Sequence, residues 1–536
     1  MTAWPTARSP CRSWWTAWTP ACRSPSRATV RRPPCCPRWV RWRPAPCRPR
    51  VRPRGGLQPS PPAWSWSAQP PRAPPAGAPP DRRHPAAVPR GRAKQVPVPA
   101  PVPRSLHGVT QKIRLGVLGC GNVGAAFVRL VEQQAAAIEA RTGVRLEVGS
   151  VAVRNLSAQR DVELADGVLT RDAHGVVADP SIDLVVEVIG GIEPARELIT
   201  TALQNGKPVV TANKELLANV GTELFATADG VGRDLLFEAA VAGGIPVIRA
   251  LRESLRGEPI KRVMGIINGT TNFILTKMTE EGTDYAVALA EAQALGFAER
   301  DPTADVEGFD AGAKAAIMAT IAFGSKVVAG DVYHEGISRL TSHDIAMAKR
   351  LGYVVKLLGI AEADPATGDV AVRVHPAMVP LTHPLASVRE SFNAVFVEGA
   401  AVGSLMFYGR GAGGSPTASA VLGDVIDAAV NLVQGTHGSL GSFGRATIRP
   451  IDETSAEYLL SMDVADRPGV LHAVTGVFAR HDVSIRAAEQ EGNGPDARLV
   501  FITHAAREAS VQATVRELRE LDVVRNVGSL LRVIGG

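Results

Sequence analysis

Ile113-Arg-Leu-Gly-Val-Leu-Gly-Cys-Gly-Asn-Val-Gly124 reads as a short buried strand running directly into a G-x-G-x-x-G turn, and Ala125 to Glu139 continues with a helical period. That order, strand then turn then helix, is what a dinucleotide requires. Glycines permit a tight turn and close approach of backbone to a pyrophosphate, while the helix N-terminus offers free N–H groups and the positive end of its dipole. Gly119, Gly121, Asn122, Val123 and Gly124 are therefore the expected cofactor contacts. An ordinary glycine turn is the plain alternative, and the flanking strand and helix weigh against it.

Working outward, Leu146 to Val153 should be the second strand. Its end is where a dinucleotide enzyme usually sets an acid against the ribose 2′-hydroxyl. Here the residue is Arg154, which could pair with a 2′-phosphate, so NADP is expected ahead of NAD; a surface arginine without a ligand is the alternative. Strands at Ile182 to Ile189 and Pro208 to Thr211 alternate with helices at Ala195 to Asn205 and Glu215 to Ala228, which predicts a doubly wound parallel sheet. Ligands of such sheets bind beyond the strand C-termini, and Lys214 sits at one of them, so it is weighed as a site residue against a solvated surface lysine.

The chain is 536 residues long, and its first 110 differ in kind from the rest. They hold all eight tryptophans, five of the six cysteines and 26 of the 40 prolines. They also hold 20 basic residues against one acid, Asp81, a net charge of +19, whereas the remainder carries −12, so the overall +7 describes neither part. Without hydrophobic period and with proline throughout, residues 1–110 are expected to be disordered. A secretory signal needs an unbroken apolar core, which Arg and Pro interrupt; an organelle transit peptide would be amphipathic, and a start codon placed too early is a further alternative. An RNA-binding reading of the basic, Trp-bearing tail lacks a folded platform, so no nucleic-acid partner is expected. Downstream, apolar runs such as Ile182 to Ile192 are too short for a membrane span, and Cys120 alone gives no disulfide framework. A cytoplasmic protein is expected.

The next segments in order are Thr211-Ala-Asn-Lys214, Glu238-Ala-Ala-Val-Ala-Gly-Gly-Ile-Pro246, Asn268-Gly-Thr-Thr-Asn272, Asp301-Pro-Thr-Ala-Asp305 and Gly308-Phe-Asp-Ala-Gly-Ala-Lys314. None is specific alone. As an ordered set they resemble the homoserine dehydrogenase family, and the resemblance runs from about Lys112 to Gly536. Independently of it, Asp310 and Lys314 lie four residues apart on a helix whose other positions are small and apolar. An exposed pair there would contribute only about 0.3–0.5 kcal/mol, whereas a charge pair on a buried helix usually has a task.

The resemblance implies reduction of L-aspartate 4-semialdehyde to L-homoserine, with Lys314 as proton donor and Lys214 stabilising the oxygen. It assigns the substrate ammonium to Glu299 and Asp310, with Asp305 in support. It also implies a monovalent cation, Na⁺, held by main-chain oxygens of the loop containing Glu238, Val241, Gly243 and Ile245; a plain glycine turn is the alternative. The second glycine loop, Gly409 to Thr417 with Gly414, and the helix Ala418 to Val433 would return to the cofactor. The expected domains are thus 111–238 completed by 405–437, an α+β catalytic and dimerisation domain at 239–404, and 455–536. That last part reads βαββαβ, a ferredoxin-like unit, and Asp466-Arg-Pro-Gly469 at its first turn resembles an ACT domain. An amino acid, threonine by the logic of feedback, is the expected effector at Asp466 and Gly469; a domain that only dimerises is the alternative. The assembly is expected to be a homodimer or homotetramer. Another ACT-bearing dehydrogenase would want a His–carboxylate couple, and none stands out among His334, His343, His375, His383 and His437.

Overall fold

The computed structural model describes residues 110–492 and 497–534, so the expectations for residues 1–109 lie outside the described residues. Six strands form a wholly parallel sheet: β1 (Gln111–Leu118), β2 (Val144–Ala152), β3 (Leu169–Thr170), β4 (Leu184–Glu187), β5 (Val209–Thr211) and β6 (Leu235–Leu236), in the order β3-β2-β1-β4-β5-β6. This is the doubly wound dinucleotide-binding order, with its crevice beyond the ends of β1 and β4. The crossovers carry α1 (Asn122–Thr142), α2 (Ala173–Ala178), α3 (Ala195–Gln204) and α4 (Lys214–Val231). Gly121 caps α1 from an extended backbone and left-handed Gly143 closes it, so the helix starts a turn before the expected Ala125.

A second sheet begins with β7 (Ile260–Ile266) and β8 (Tyr333–His334), and continues through β9 (Tyr353–Ala363), β10 (Val370–Pro380), β11 (Phe392–Gly399) and β12 (Gly403–Arg410). Helix α5 (Val247–Arg249) precedes it, and between its strands come α6 (Gly269–Glu281), α7 (Tyr285–Ala294), α8 (Thr303–Val306), α9 (Phe309–Phe323) and α10 (Ser342–Arg350). Helix α9 is packed with Ala315, Ala316, Ile317 and Ala319 inside the core, which is why its small residues are there.

The expected return segment 405–437 divides in two. Residues up to Arg410 pair in the second sheet as β12, while α11 (Gly414–Gln434) packs Val421, Leu422 and Val425 into the core under the parallel sheet. Helix α11 starts at Gly414, earlier than Ala418. Among the described residues it is the one helix long and apolar enough to cross a membrane, and that core is where its apolar face is spent.

The C-terminal unit is β13 (Ser455–Val464), α12 (Val470–Arg480), β14 (Ile485–Glu491), β15 (Arg498–Thr503), β16 (Ala506–Arg507), α13 (Glu508–Leu518) and β17 (Val524–Val533), the expected βαββαβ with one extra bridge strand. Its sheet is not separate. Strand β17 pairs in parallel with β10 through Ala377 opposite Arg532 and Met378 opposite Val533, so one sheet runs β12-β11-β7-β9-β10-β17-β13-β15-β14.

Candidate active site

At the end of β1 the chain turns at Gly119, with φ of +103°, and a Cβ there would lie 2.8 Å from the Val188 carbonyl. A Cβ on Gly124 would overlap the Gly119 carbonyl, so the third glycine serves helix–strand packing, whereas nothing lies within 4 Å of a Cβ on Gly121. That open side faces no protein and leaves room for a pyrophosphate. Asn122, Val123 and Gly124 form the first turn of α1, whose N–H groups have no intrahelical partner; the Val123 side chain packs against the core. Gly414, first residue of α11, lies against this turn, where a Cβ would be 3.0 Å from the Asn122 carbonyl. Arg154 is exposed two residues beyond β2.

Glu187, fully buried at the end of β4, was not anticipated as a site residue. Its Oε1 accepts from the Ile189 N–H at 2.8 Å and its Oε2 from the Thr211 hydroxyl at 2.5 Å, clasping the ends of β4 and β5. Burial pushes its carboxyl up, against those hydrogen bonds. Asn213 completes the clasp by donating to the Gly191 carbonyl at 2.6 Å while its Oδ1 caps α4.

That cap puts Lys214 first in α4, pointing into the cleft. Its Nζ lies 2.9 Å from Asp310 Oδ1, and Lys314 Nζ donates to Asp310 Oδ2 at 2.6 Å and to the Ile267 carbonyl at 2.8 Å. A carboxylate thus sits between two ammonium groups. Burial alone would raise the Asp310 carboxyl, but Lys314 and Lys214 outweigh it and hold the group well below the usual carboxylate range. Asp310 in turn pushes Lys214 up, burial opposing. Asn268 donates to Asp305 at 2.7 Å and to Asp310 at 2.9 Å, and its Oδ1 accepts from Thr271, so the first Asn of N-G-T-T-N fixes both acids. Burial raises Asp305, against its bond from Asn268. The last Asn, Asn272, instead donates to the Glu390 carbonyl at 2.9 Å and accepts from buried Lys356 at 2.9 Å, a structural tie. Glu299 is exposed; its main-chain carbonyl accepts from Gln293, and its carboxylate does not join the Lys214, Asp305, Asp310 and Lys314 network.

In the Glu238 loop, Ala242 and Gly243 both adopt left-handed backbone, at φ of 55° and 52°, and a Cβ on Gly243 would overlap the Gly411 carbonyl. The loop is therefore locked against the start of α11. The Glu238 carboxylate is engaged elsewhere, accepting from the Ile248 and Arg249 N–H groups at 2.9 and 2.7 Å, so only main-chain oxygens such as those of Val241 and Gly243 suit a cation; the Ile245 carbonyl accepts from the Val247 N–H. No cluster of three His, Cys, Asp or Glu able to hold a metal occurs among the described residues. In the C-terminal unit, Gly469 caps α12 at φ of +91°, and it and Asp466 are exposed.

Comparison with known proteins follows the same division. Family models match at residues 119–238 (homoserine dehydrogenase, NAD binding domain), 246–426 (homoserine dehydrogenase) and 458–523 (ACT domain). A homoserine dehydrogenase of Mycobacterium tuberculosis is 49% identical over 440 residues, which is 80% of this chain and 99% of that protein. The crystal structure of a homoserine dehydrogenase from Thiobacillus denitrificans superimposes with a TM-score of 0.75 at 41% identity, covering 80% of this chain and 99% of its own. A hyperthermophilic archaeal homoserine dehydrogenase in complex with NADPH gives 0.51 at 29% identity, over 60% of this chain and 98% of its own.

Proposed function

This chain belongs to the homoserine dehydrogenase family, and from that premise we propose that it catalyses the reversible reduction of L-aspartate 4-semialdehyde to L-homoserine with NAD(P)H. The observation that carries the reading is the triangle of Lys214, Asp310 and Lys314 beyond the end of β5, at the same edge of the parallel sheet as the glycine turn that follows β1. When bound between that turn and the start of α11, the dinucleotide supplies hydride to the aldehyde carbon. Negative charge then develops on the aldehyde oxygen, and an ammonium beside it both neutralises the charge and gives up a proton. Lys314 is the donor in this reading, kept charged by Asp310, with Lys214 steadying the oxygen. Asp310 and Glu299 receive the substrate ammonium, Glu299 from its exposed loop, with Asp305 in support.

One observation favours a second assignment of the lysines: the Lys214 side chain is 45% exposed and that of Lys314 only 10%. Lys214 would then be the donor and Lys314 the anchor of Asp310. Arg154 pairs with a 2′-phosphate, giving NADP preference. Main-chain oxygens of the Glu238 loop, at Val241 and Gly243 above all, hold Na⁺, which would stiffen the junction with α11. Threonine binds at the Asp466–Gly469 turn and inhibits. The assembly is a homodimer or homotetramer acting in the cytoplasm. The direct test is oxidation of NADPH and NADH by the purified chain with aspartate semialdehyde. Turnover of a 2-keto acid in its place would overturn the reading.

A further inference from the structure

His334 and Glu335 are neighbours at the end of β8, yet they touch different parts of the molecule. The His334 ring packs on Phe309 with centroids 5.0 Å apart, and it lies so close to the bare backbone of Gly312 that a Cβ there would overlap its Nε2. Gly312 stands midway between Asp310 and Lys314 on α9, so the imidazole is a wedge seated behind the turn that carries both. Burial pushes this imidazole below its usual range, against a hydrogen bond with the Val332 backbone, and the closeness of the ring to Gly312 makes the contact steric. The segment is laid along the same corner one step later, where the Ile337 N–H donates to the Val306 carbonyl at 2.8 Å.

Glu335 faces the C-terminal unit. It accepts from Arg532 Nη1 at 2.6 Å, and Arg532 on β17, 3% exposed, is also gripped by Glu508 through two bonds of 2.7 Å. Tyr458 donates to the same Glu508 at 2.9 Å. A buried guanidinium with both acids satisfied is rigid, since moving it would strip a charge of its partners. The chain of contacts therefore runs from β17 through Arg532 and Glu335 to His334, and from there to the Asp310–Lys314 turn.

We infer that His334 is a positioning residue for the reduction, seating the Asp310–Lys314 turn of α9, and that the Glu335–Arg532 ion pair ties its placement to the C-terminal unit; this rests on the role proposed above for that turn. The test uses the full chain with His334→Ala, His334→Phe and Glu335→Gln. Removing the wedge lets α9 relax, so His334→Ala should lower kcat about tenfold and raise the semialdehyde KM while the cofactor KM stays little changed, because the turn carries both the reacting lysine and the acid that receives the substrate ammonium. His334→Phe keeps a ring and should restore most of it. Glu335→Gln, which leaves Arg532 paired with Glu508, should lower kcat about threefold, the scale of coupling through packed side chains. Hydrogen exchange adds a readout independent of turnover: amides of residues 310–316 should exchange faster in His334→Ala and Glu335→Gln. Wild-type kcat and exchange in His334→Ala would overturn the inference, as would loss of melting temperature and kcat together with no rescue by Phe. Wild-type behaviour of Glu335→Gln would overturn the tie. A wild-type chain inactive on the semialdehyde, with the exchange changes present, would overturn the assigned reaction and support the mechanical link.

Discussion

Asp310 makes the two lysines unequal to their usual surface counterparts, and the arithmetic of buried charge sets what mutation should do. Removing one partner of a buried pair typically costs about 3–5 kcal/mol, but Asp310 keeps Lys214 at 2.9 Å when Lys314 is lost, so Lys314→Ala should fold. Its kcat should fall about 10²–10⁴-fold with the cofactor KM unchanged, and added ethylammonium should restore part of it only if Lys314 is the donor. Rescue of Lys214→Ala in its place would assign the proton to Lys214. Arg154→Asp should move preference from NADPH towards NADH, because the acid repels a 2′-phosphate and accepts from a 2′-hydroxyl; an unchanged ratio of kcat/KM values would place Arg154 outside the site. A third residue sets a pH slope. Asp424 on α11 is buried beside Glu238, and burial pushes its carboxyl up to about 7, with Glu238 adding and Arg249 opposing. Its folded pKa lies above the unfolded value of about 3.9, so the stability it contributes is full below that value and is lost as pH rises towards 7. Asp424→Asn keeps an oxygen for the Glu238 N–H and removes this slope. Between pH 5 and 8 the variant should therefore gain on wild type by on the order of 2 kcal/mol in denaturant titrations; no relative gain would show that Asp424 is ionised at little cost.

Among the elements, α1 and its turn separate packing from binding at adjacent glycines. Gly124→Ala would drive a Cβ into the Gly119 carbonyl, so it should lower the melting temperature, whereas Gly121→Ala enters open space on a negative-φ backbone and should leave melting unchanged while weakening NAD(P)H binding. Cofactor titrations and thermal melts of the two variants check this, and equal effects in both would remove the distinction. The turn was legible because its residue types are those its backbone demands. The βαββαβ order was legible for a related reason: its strands and helices differ in period, as in Glu457 to Val464 against Val470 to Arg480. Strands β9 and β10 offered no such contrast, since Tyr353–Ala363 and Val370–Pro380 are buried along nearly their whole length, Lys356, Arg373 and His375 included, so no solvent face marks an alternation. Glu187 was visible as the second of two carboxylates, after Asp183, in the run Ile182 to Ile192, and an acid inside a buried strand is itself the signal that it clasps something. Asn268 stands in the N-G-T-T-N motif, but its role was hidden because its partners Asp305 and Asp310 come from 37 and 42 residues away.

At the scale of the whole molecule the C-terminal unit is an extension of the catalytic sheet, and this was hidden from the sequence because nothing local distinguishes an edge strand from one that will be paired by another domain. The pairing of β17 with β10 is short, yet it is backed by burial: Leu531 and Val533 enter the main core with Leu459, Val500 and Ile502, and Ile534 packs with Val354, Leu358 and Val379 while its N–H donates to the Met378 carbonyl at 3.0 Å. Ending the chain near Pro450 would uncover this apolar surface and strand the Met378 carbonyl. It would also remove Arg532 from Glu335 and leave the end of β10 at Ala377 and Met378, beyond its pairing with β8, as a bare apolar edge of the kind that recruits other chains. A truncated enzyme should therefore melt well below the full chain and aggregate on concentration, whatever the fate of inhibition. Loss of a threonine response in such a fragment would then carry no information about where threonine binds. The informative variant keeps the sheet whole: Gly469→Val strains the left-handed cap of α12, where no neighbour lies within 4 Å, and should raise the threonine needed for half-inhibition about tenfold, roughly 1.4 kcal/mol of binding. Melting curves and size exclusion of the 450-residue chain, set beside threonine titrations of full-length wild type and Gly469→Val, test both claims. A truncated chain as stable and monodisperse as the full one would show that β10 and β17 fold independently, and inhibition of Gly469→Val at the wild-type threonine concentration would place the effector away from this turn.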